Sequence, residues 1–270
     1  MACAECVSGS VHTGTPTGTE ITLASLSTYA VGDESSKRII VMGADIFGWK
    51  FINTRLLADE YAARGFRVLV PDFFDGAHLC YELPEWTLSA NDPANETATL
   101  FQRFIARPIS LFILAPFVLR HTQPNQTAKL TAVAAHLREA YPDAKIGYVG
   151  FCWGGRYALT LNALFDATFA AHPSLVKYPA ELVAIEKPIS FAIAATDYFY
   201  DAAQGKDTEK RLKEKGLTDV EVIIYEGVPH GWTMRANLAD PKKKEARDKA
   251  VEQVINWFDK YLTTIPASDS

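Results

Sequence analysis

Gly150-Phe151-Cys152-Trp153-Gly154-Gly155 is the stretch on which the fold of this 270-residue chain turns. A short apolar run, Ile146 to Val149, precedes it and reads as a buried strand. Arg156 to Phe165 follows it and reads as a helix. Strand, G-x-nucleophile-x-G, helix is the context of a nucleophile elbow, here with cysteine where serine is usual. The glycines have a steric reason. A strand that turns sharply into a helix strains the backbone at the apex, and flanking side chains collide there unless they are hydrogen atoms. The apex residue then projects its reactive atom above the sheet. Taken alone, the stretch also fits a buried cysteine in a Gly-rich turn, so its chemistry depends on the rest of the chain.

Outward from the elbow, strands alternate with helices. Arg38 to Met42 is a continuous apolar run, as expected of a strand buried on both faces. Asn53 to Arg64 reads as a helix stopped by Gly65, and Phe66 to Val70 as the next strand. A helix is expected from about Thr127 to Tyr141, then the strand Lys145 to Val149. Beyond the elbow come strands at Thr168 to Ala171, Ile189 to Ala195 and Val220 to Tyr225. A polar helix is expected at Thr208 to Lys215, and a last helix at about Lys242 to Leu262. Ile21 to Val31 suits one or two edge strands. This alternation predicts an α/β fold, a mainly parallel sheet with helices on both faces.

The whole chain, 1–270, reads as a single domain of this kind, with an irregular arm over about residues 1–20. One segment breaks the pattern. Residues 74–125 are too long for a simple connection. They run from a polar stretch, Asn91 to Thr97, into the very apolar Phe101 to Leu119. They read as an inserted cap of one or two short helices over the site, or as a stripe packed on the core or on a second subunit.

The formal net charge of -5, without a long basic block, argues against a nucleic-acid partner. The most apolar stretch, Pro108 to Leu119, is too short to span a bilayer, so no membrane role is expected. No secretory signal is visible at the N-terminus, and four cysteines are too few for a disulfide-stapled domain. A cytoplasmic, reducing setting is the expectation, which keeps Cys152 a free thiol. Cys3 and Cys6 form a lone C-x-x-C that lacks two further zinc ligands at suitable spacing, so no metal site is expected. The oligomeric expectation is monomer or homodimer.

Nucleophilic catalysis by cysteine needs a base, and the base needs an orienting group. In an α/β-hydrolase sheet these follow the nucleophile in the order acid, then histidine, each past the C-terminal end of a later strand. Asp197 follows the strand Ile189 to Ala195, and His230 follows Val220 to Tyr225 through the turn Glu226-Gly227-Val228-Pro229. Asp201 competes with Asp197, which stands nearer its strand end. The expected triad is therefore Cys152, Asp197 and His230. The oxyanion formed on attack needs preorganised donors. The backbone N–H groups of Trp153 and Ile46 are the candidates, the latter in the loop Gly43 to Gly48.

These residues carry a family resemblance. Gly43-Ala44-Asp45-Ile46-Phe47-Gly48, Pro71-Asp72-Phe73-Phe74, the cysteine elbow, Ala171-His172-Pro173-Ser174, Thr196-Asp197 and Val228-Pro229-His230-Gly231-Trp232 together resemble the fungal-type dienelactone hydrolases. The resemblance covers the chain from about residue 10 to its end. It implies an α/β-hydrolase fold, a Cys-Asp-His hydrolase of small, often anionic, lactones or esters, and no cofactor. It also implies that an acid after the first buried strand switches the thiol between a resting and a reactive state. Here that acid is Asp45, one methylene shorter than the family's usual glutamate. Substrate anions in the family are held by arginines, and Arg235 is the local candidate. His172 is a candidate pocket residue, His78 a lesser one, and Phe47, Tyr81, Trp86 and Trp232 are candidate apolar walls.

The function expected is therefore hydrolysis of a small lactone or carboxylic ester through an acyl-cysteine intermediate. Two alternatives remain at this point. The same scaffold could run a lyase, cyclase or isomerase step in secondary metabolism, or it could be a pseudo-hydrolase that only binds a small molecule.

Overall fold

A computed structural model describes residues 9–77 and 99–263. Eight strands form one sheet in the order β1-β2-β4-β3-β5-β6-β7-β8. They are β1 Thr19–Leu23, β2 Leu26–Val31, β3 Arg38–Gly43, β4 Arg67–Pro71, β5 Lys145–Phe151, β6 Ala167–Ala171, β7 Ile189–Ala194 and β8 Val220–Tyr225. β2 runs antiparallel to both β1 and β4. From β4 across to β8 every neighbouring pair is parallel. The described helices are α1 Ile52–Ala62, α2 Leu100–Arg120, α3 Gln123–Ala140, α4 Gly155–Thr160, α5 Ala202–Glu214, α6 Trp232–Arg235 and α7 Pro241–Tyr261.

The continuous apolar runs follow from burial on both faces of the sheet. In β3, Ile39 and Val41 join one core with Leu130, Val133 and Leu137 of α3. Ile40 and Met42 join the other, with Leu57 of α1 and Val254 and Phe258 of α7. A strand with only one buried face would show alternation instead.

The segment Ile21 to Val31 supplies one edge strand, β1, while β2 lies inside the sheet. Two expectations need correction. The helix after the elbow stops at Thr160 and gives way to a 3-10 turn over Asn162–Leu164. Asn162 ends it: its Nδ2 donates to Thr168 Oγ1 at 2.8 Å, and its Oδ1 accepts from Glu186 N and Lys187 N. α5 begins at Ala202 rather than Thr208, because Asp201 and Gln204 form a capping box. Among the described residues of the apolar insertion, Leu100–Arg120 forms a 21-residue helix, α2. It contains Pro108 and Pro116; Thr99 and Gln102 form a capping box at its start, and Phe117 is buried on its inner face. Tyr81, Trp86 and His78, with Cys3, Cys6 and Cys80, lie outside the described residues.

The elbow leaves no room for side chains. A Cβ on Gly150 would sit 2.2 Å from Gly154 O, and one on Gly154 would sit 2.2 Å from Gly43 O. Both obstacles are backbone. Gly154→Ala is therefore expected to destabilise the fold by about 2–3 kcal/mol, the scale of overpacking in a closed core. Chemical denaturation checks it; an unchanged midpoint would show that the elbow tolerates the methyl group.

Candidate active site

The strand registers set one row of loops at the C-terminal edge of the sheet. Gly43 pairs with Gly150, Phe151 with Ala171, Ala171 with Ala192, and Ala194 with Tyr225. Asp45, Cys152, His172, Asp197 and His230 follow β3, β5, β6, β7 and β8 in that row. Open α/β sheets bind ligands at this edge.

Cys152 has φ of +51°, a left-handed conformation that costs a non-glycine residue of order 1–3 kcal/mol. Its neighbours enforce that conformation. Cys152 N–H donates to Ala171 O at 3.0 Å, and Cys152 O accepts from Gly155 N at 3.1 Å and Ser174 N at 2.9 Å. Tyr148 Oη donates to Gly154 O at 2.9 Å and ties the turn to β5. The sulfur lies 3.6 Å from Ser174 Oγ. Ser174 reaches the sulfur because the loop after β6 folds back on the elbow.

His230 Nδ1 and Asp197 Oδ2 are 2.7 Å apart, and both side chains are fully buried. Asp197 Oδ1 also accepts from Phe199 N at 2.9 Å, which fixes the carboxylate plane. Asp201 instead accepts from Gln204 N as a helix cap, so the two aspartates divide their tasks. His230 is buried against the Phe199 ring, with centroids 5.3 Å apart. Burial opposes its charged form. The charge of a Cys152 thiolate, with hydrogen bonds to Asp197 and Cys152, overrides burial and raises its pKa to about 10.

A raised histidine pKa stabilises the fold fully below the unfolded value and loses that contribution as pH climbs through the folded value. The window here runs from about 6.5 to about 10. The protein is expected to lose stability across this range. His230→Gln should lack that slope, as measured by denaturation midpoints at stepped pH. Parallel slopes for the two proteins would contradict the assignment.

The loop after β3 lies against the elbow, where the hypothetical Gly154 Cβ would also meet Ala44 O at 3.0 Å. Phe47 N–H donates to Asp45 Oδ1 at 2.9 Å, and Gly48 N–H to Asp45 O at 3.0 Å. Those two donors are committed to the turn, and the expected oxyanion donor Ile46 lies in the same loop. Asp45 is fully buried and pairs with the buried Arg235 guanidinium. Burial raises the Asp45 pKa, Arg235 opposes the rise, and the Cys152 charge adds to it. Arg235 also stacks on Phe47, with Cζ 4.7 Å from the ring centroid. The structure thus joins Asp45, Phe47 and Arg235 in one buried cluster.

His172 is buried with φ of +36°, and its Nε2 lies 2.6 Å from Thr233 Oγ1. Its ring meets that of His230 edge-on at 4.9 Å and that of Trp232 at 5.2 Å. Burial, with positive charge on His230 and Arg235, lowers its pKa well below the usual histidine value. Trp232 sits in the core on the α7 side, tilted against Tyr225. The sequence reading missed an aromatic cluster beside the nucleophile. Phe74 packs on Trp153 at 4.7 Å and on Phe117 of α2 at 4.8 Å, with His121 completing the group. The apolar run was visible, but which of its residues turned inward was not.

Asn53, also missed, anchors the arm. Its Nδ2 donates to Ser10 O and Met234 O, both at 2.8 Å, and its Oδ1 accepts from His12 N at 2.8 Å. His12 Nε2 lies 2.9 Å from Ala236 O. These bonds clamp the arm onto the turn that carries Arg235.

A mostly parallel eight-stranded sheet, with a strained strand–helix turn after its fifth strand, defines an α/β hydrolase. The solved structure of a Klebsiella pneumoniae protein assigned as a dienelactone hydrolase has this fold, with a TM-score of 0.65 and 18% identity over 91% of this chain and 99% of that one. Residues 26–262 match the model of the dienelactone hydrolase family, and the chain belongs to that family. It is similar to "Hydrolase pyvD" of Aspergillus violaceofuscus, 27% identical over 95% of this chain and 96% of that protein. It is also similar to "Dienlactone hydrolase 1" of Gibberella moniliformis, 26% identical over 95% of this chain and 93% of that protein. The chain is therefore a hydrolase, and no helix among the described residues is long and apolar enough to cross a membrane.

Proposed function

We propose that the chain opens a small lactone or cleaves a small carboxylic ester by thiol catalysis, with Cys152 as nucleophile, His230 as acid–base and Asp197 as the group that orients His230. The observation that carries this reading is the buried His230–Asp197 pair at 2.7 Å beside a cysteine held at positive φ. The Cys152 thiolate attacks the carbonyl carbon, and the carbonyl electron pair moves to oxygen. The Ile46 and Trp153 N–H groups stabilise that oxyanion. Collapse expels the alkoxide, which takes the proton from the His230 imidazolium. In a lactone this alkoxide stays tethered to the acyl group. Water, deprotonated by His230, then attacks the acyl-cysteine and restores the thiolate.

Asp45 and Arg235 tune this site. An anionic substrate group would have to share the Arg235 guanidinium with Asp45, whose burial already favours its neutral form. Loss of Arg235 to a substrate would push Asp45 further towards its neutral form. The walls supplied by Trp153, Phe74 and Phe117 favour a planar or apolar acyl portion.

The test is to quench the protein with an activated ester and map the adduct by mass spectrometry, in parallel with turnover in oxygen-18 water. An acyl group on Cys152 and label in the released acid are the expected results. An unlabelled product would point to a non-hydrolytic rearrangement on the same scaffold. Acylation confined to another residue would remove Cys152 from its role.

A further inference from the structure

Helix α2 turns its most apolar stripe to solvent. Phe101, Phe104, Pro108, Phe112, Ala115 and Leu119 recur at steps of three and four, so they share one face. Phe101 is 71% exposed, Phe104 75%, Phe112 82% and Leu119 77%. Ala106 and Phe117, on the opposite face, are buried. The buried face is the one that reaches Phe74 and, through it, Trp153 next to Cys152.

We propose that this outer face of α2 is a homodimer interface, occupied by α2 of a second copy of this chain. Size supports this. A phenylalanine offers about 150–250 Å², so the three exposed rings with Leu100 and Leu119 present roughly 700 Å² per copy. That exceeds the usual largest apolar patch of a monomer, about 300–600 Å². It approaches the roughly 800 Å² per partner of a standard interface. Shape supports it too. A two-fold axis near residue 110 places Phe101 opposite Leu119, Phe104 opposite Ala115 and Pro108 opposite Phe112. Large thus meets small in an isologous contact. An anionic bilayer is the competing occupant, since α2 contains Arg103, Arg107 and Arg120 and no Asp or Glu. The chain as a whole carries a formal net charge of -5, which opposes such a surface. Dimerisation would brace α2 from outside while its inner face holds the aromatic wall beside the elbow.

Light scattering after size exclusion, at micromolar protein, tests the proposal. The wild type is expected at twice the 29.8 kDa chain mass. Phe104→Glu with Phe112→Glu should return it to one chain mass. Its thermal midpoint, normalised to protein concentration, should stay close to that of the dissociated wild type, because both rings are exposed in a single copy. If the charged variant fails to fold, Phe104→Cys with Ala115→Cys should form an intermolecular disulfide under mild oxidation that each single variant does not form. A wild type that stays monomeric, a dimer that survives both glutamates, or a monomer that binds phosphatidylserine vesicles through α2 would each overturn the proposal.

Discussion

Cys152→Ala is expected to lower kcat towards a small activated ester by about 10⁴-fold or more, with the fold intact. The size follows from the chemistry. Without the sulfur no covalent intermediate forms, and the oxyanion donors and binding site alone supply only a residual rate. The fold should survive because alanine removes one atom, and the bonds that hold position 152 at positive φ are all backbone. Circular dichroism and a thermal midpoint close to wild type would exclude unfolding as the cause. Iodoacetamide should inactivate the wild type with labelling of Cys152 in step. A Cys152→Ala protein that keeps wild-type kcat would end the cysteine reading. Labelling restricted to Cys3, Cys6 or Cys80 during inactivation would count against it independently.

The sheet was legible because its signal is local. A strand buried on both faces is apolar at nearly every position, so β3, β4, β5, β6 and β7 announced themselves as near-continuous runs, interrupted inside β6 by Thr168 and inside β7 by Ser190. The positions of Cys152, Asp197 and His230 past three strand ends could likewise be read from order and spacing. What stayed hidden depends on partners far along the chain. Asn162 ends the elbow helix through bonds to residues 186 and 187. Asp45 meets Arg235 across 190 positions. The Asn53 clamp joins residues 10, 12, 53 and 234. The start of α5 is a different case, since Asp201-Ala202-Ala203-Gln204 is a local capping box that could have been read. For α2 the pattern was present but ambiguous, because an apolar helix with two prolines does not say which face turns inward.

The pair Asp197 and Asp201 offers the second large effect with its own control. Asp197→Asn keeps the size of the side chain and removes the charge that favours the His230 imidazolium. The amide can also present N–H instead of oxygen to Nδ1, which would impose the opposite tautomer on the ring. A loss in kcat of about 10³–10⁴-fold is expected, the scale for an orienting carboxylate in a triad. The pKa of His230 should fall, because charge and hydrogen bond from Asp197 both raise it. The alkaline stability slope attributed to His230 should therefore begin to flatten at lower pH in this variant. Asp201→Asn should behave differently. Asp201 caps α5 through Gln204 N, and asparagine is about as good a cap as aspartate, so activity and stability should stay near wild type. The contrast matters because the two residues stand four apart after the same strand, and only the 2.7 Å contact to Nδ1 separates their roles. Equal losses in both variants would mean that the whole loop after β7, and not the Asp197 carboxylate, sets the rate. Near wild-type turnover in Asp197→Asn would mean that His230 needs no orienting acid.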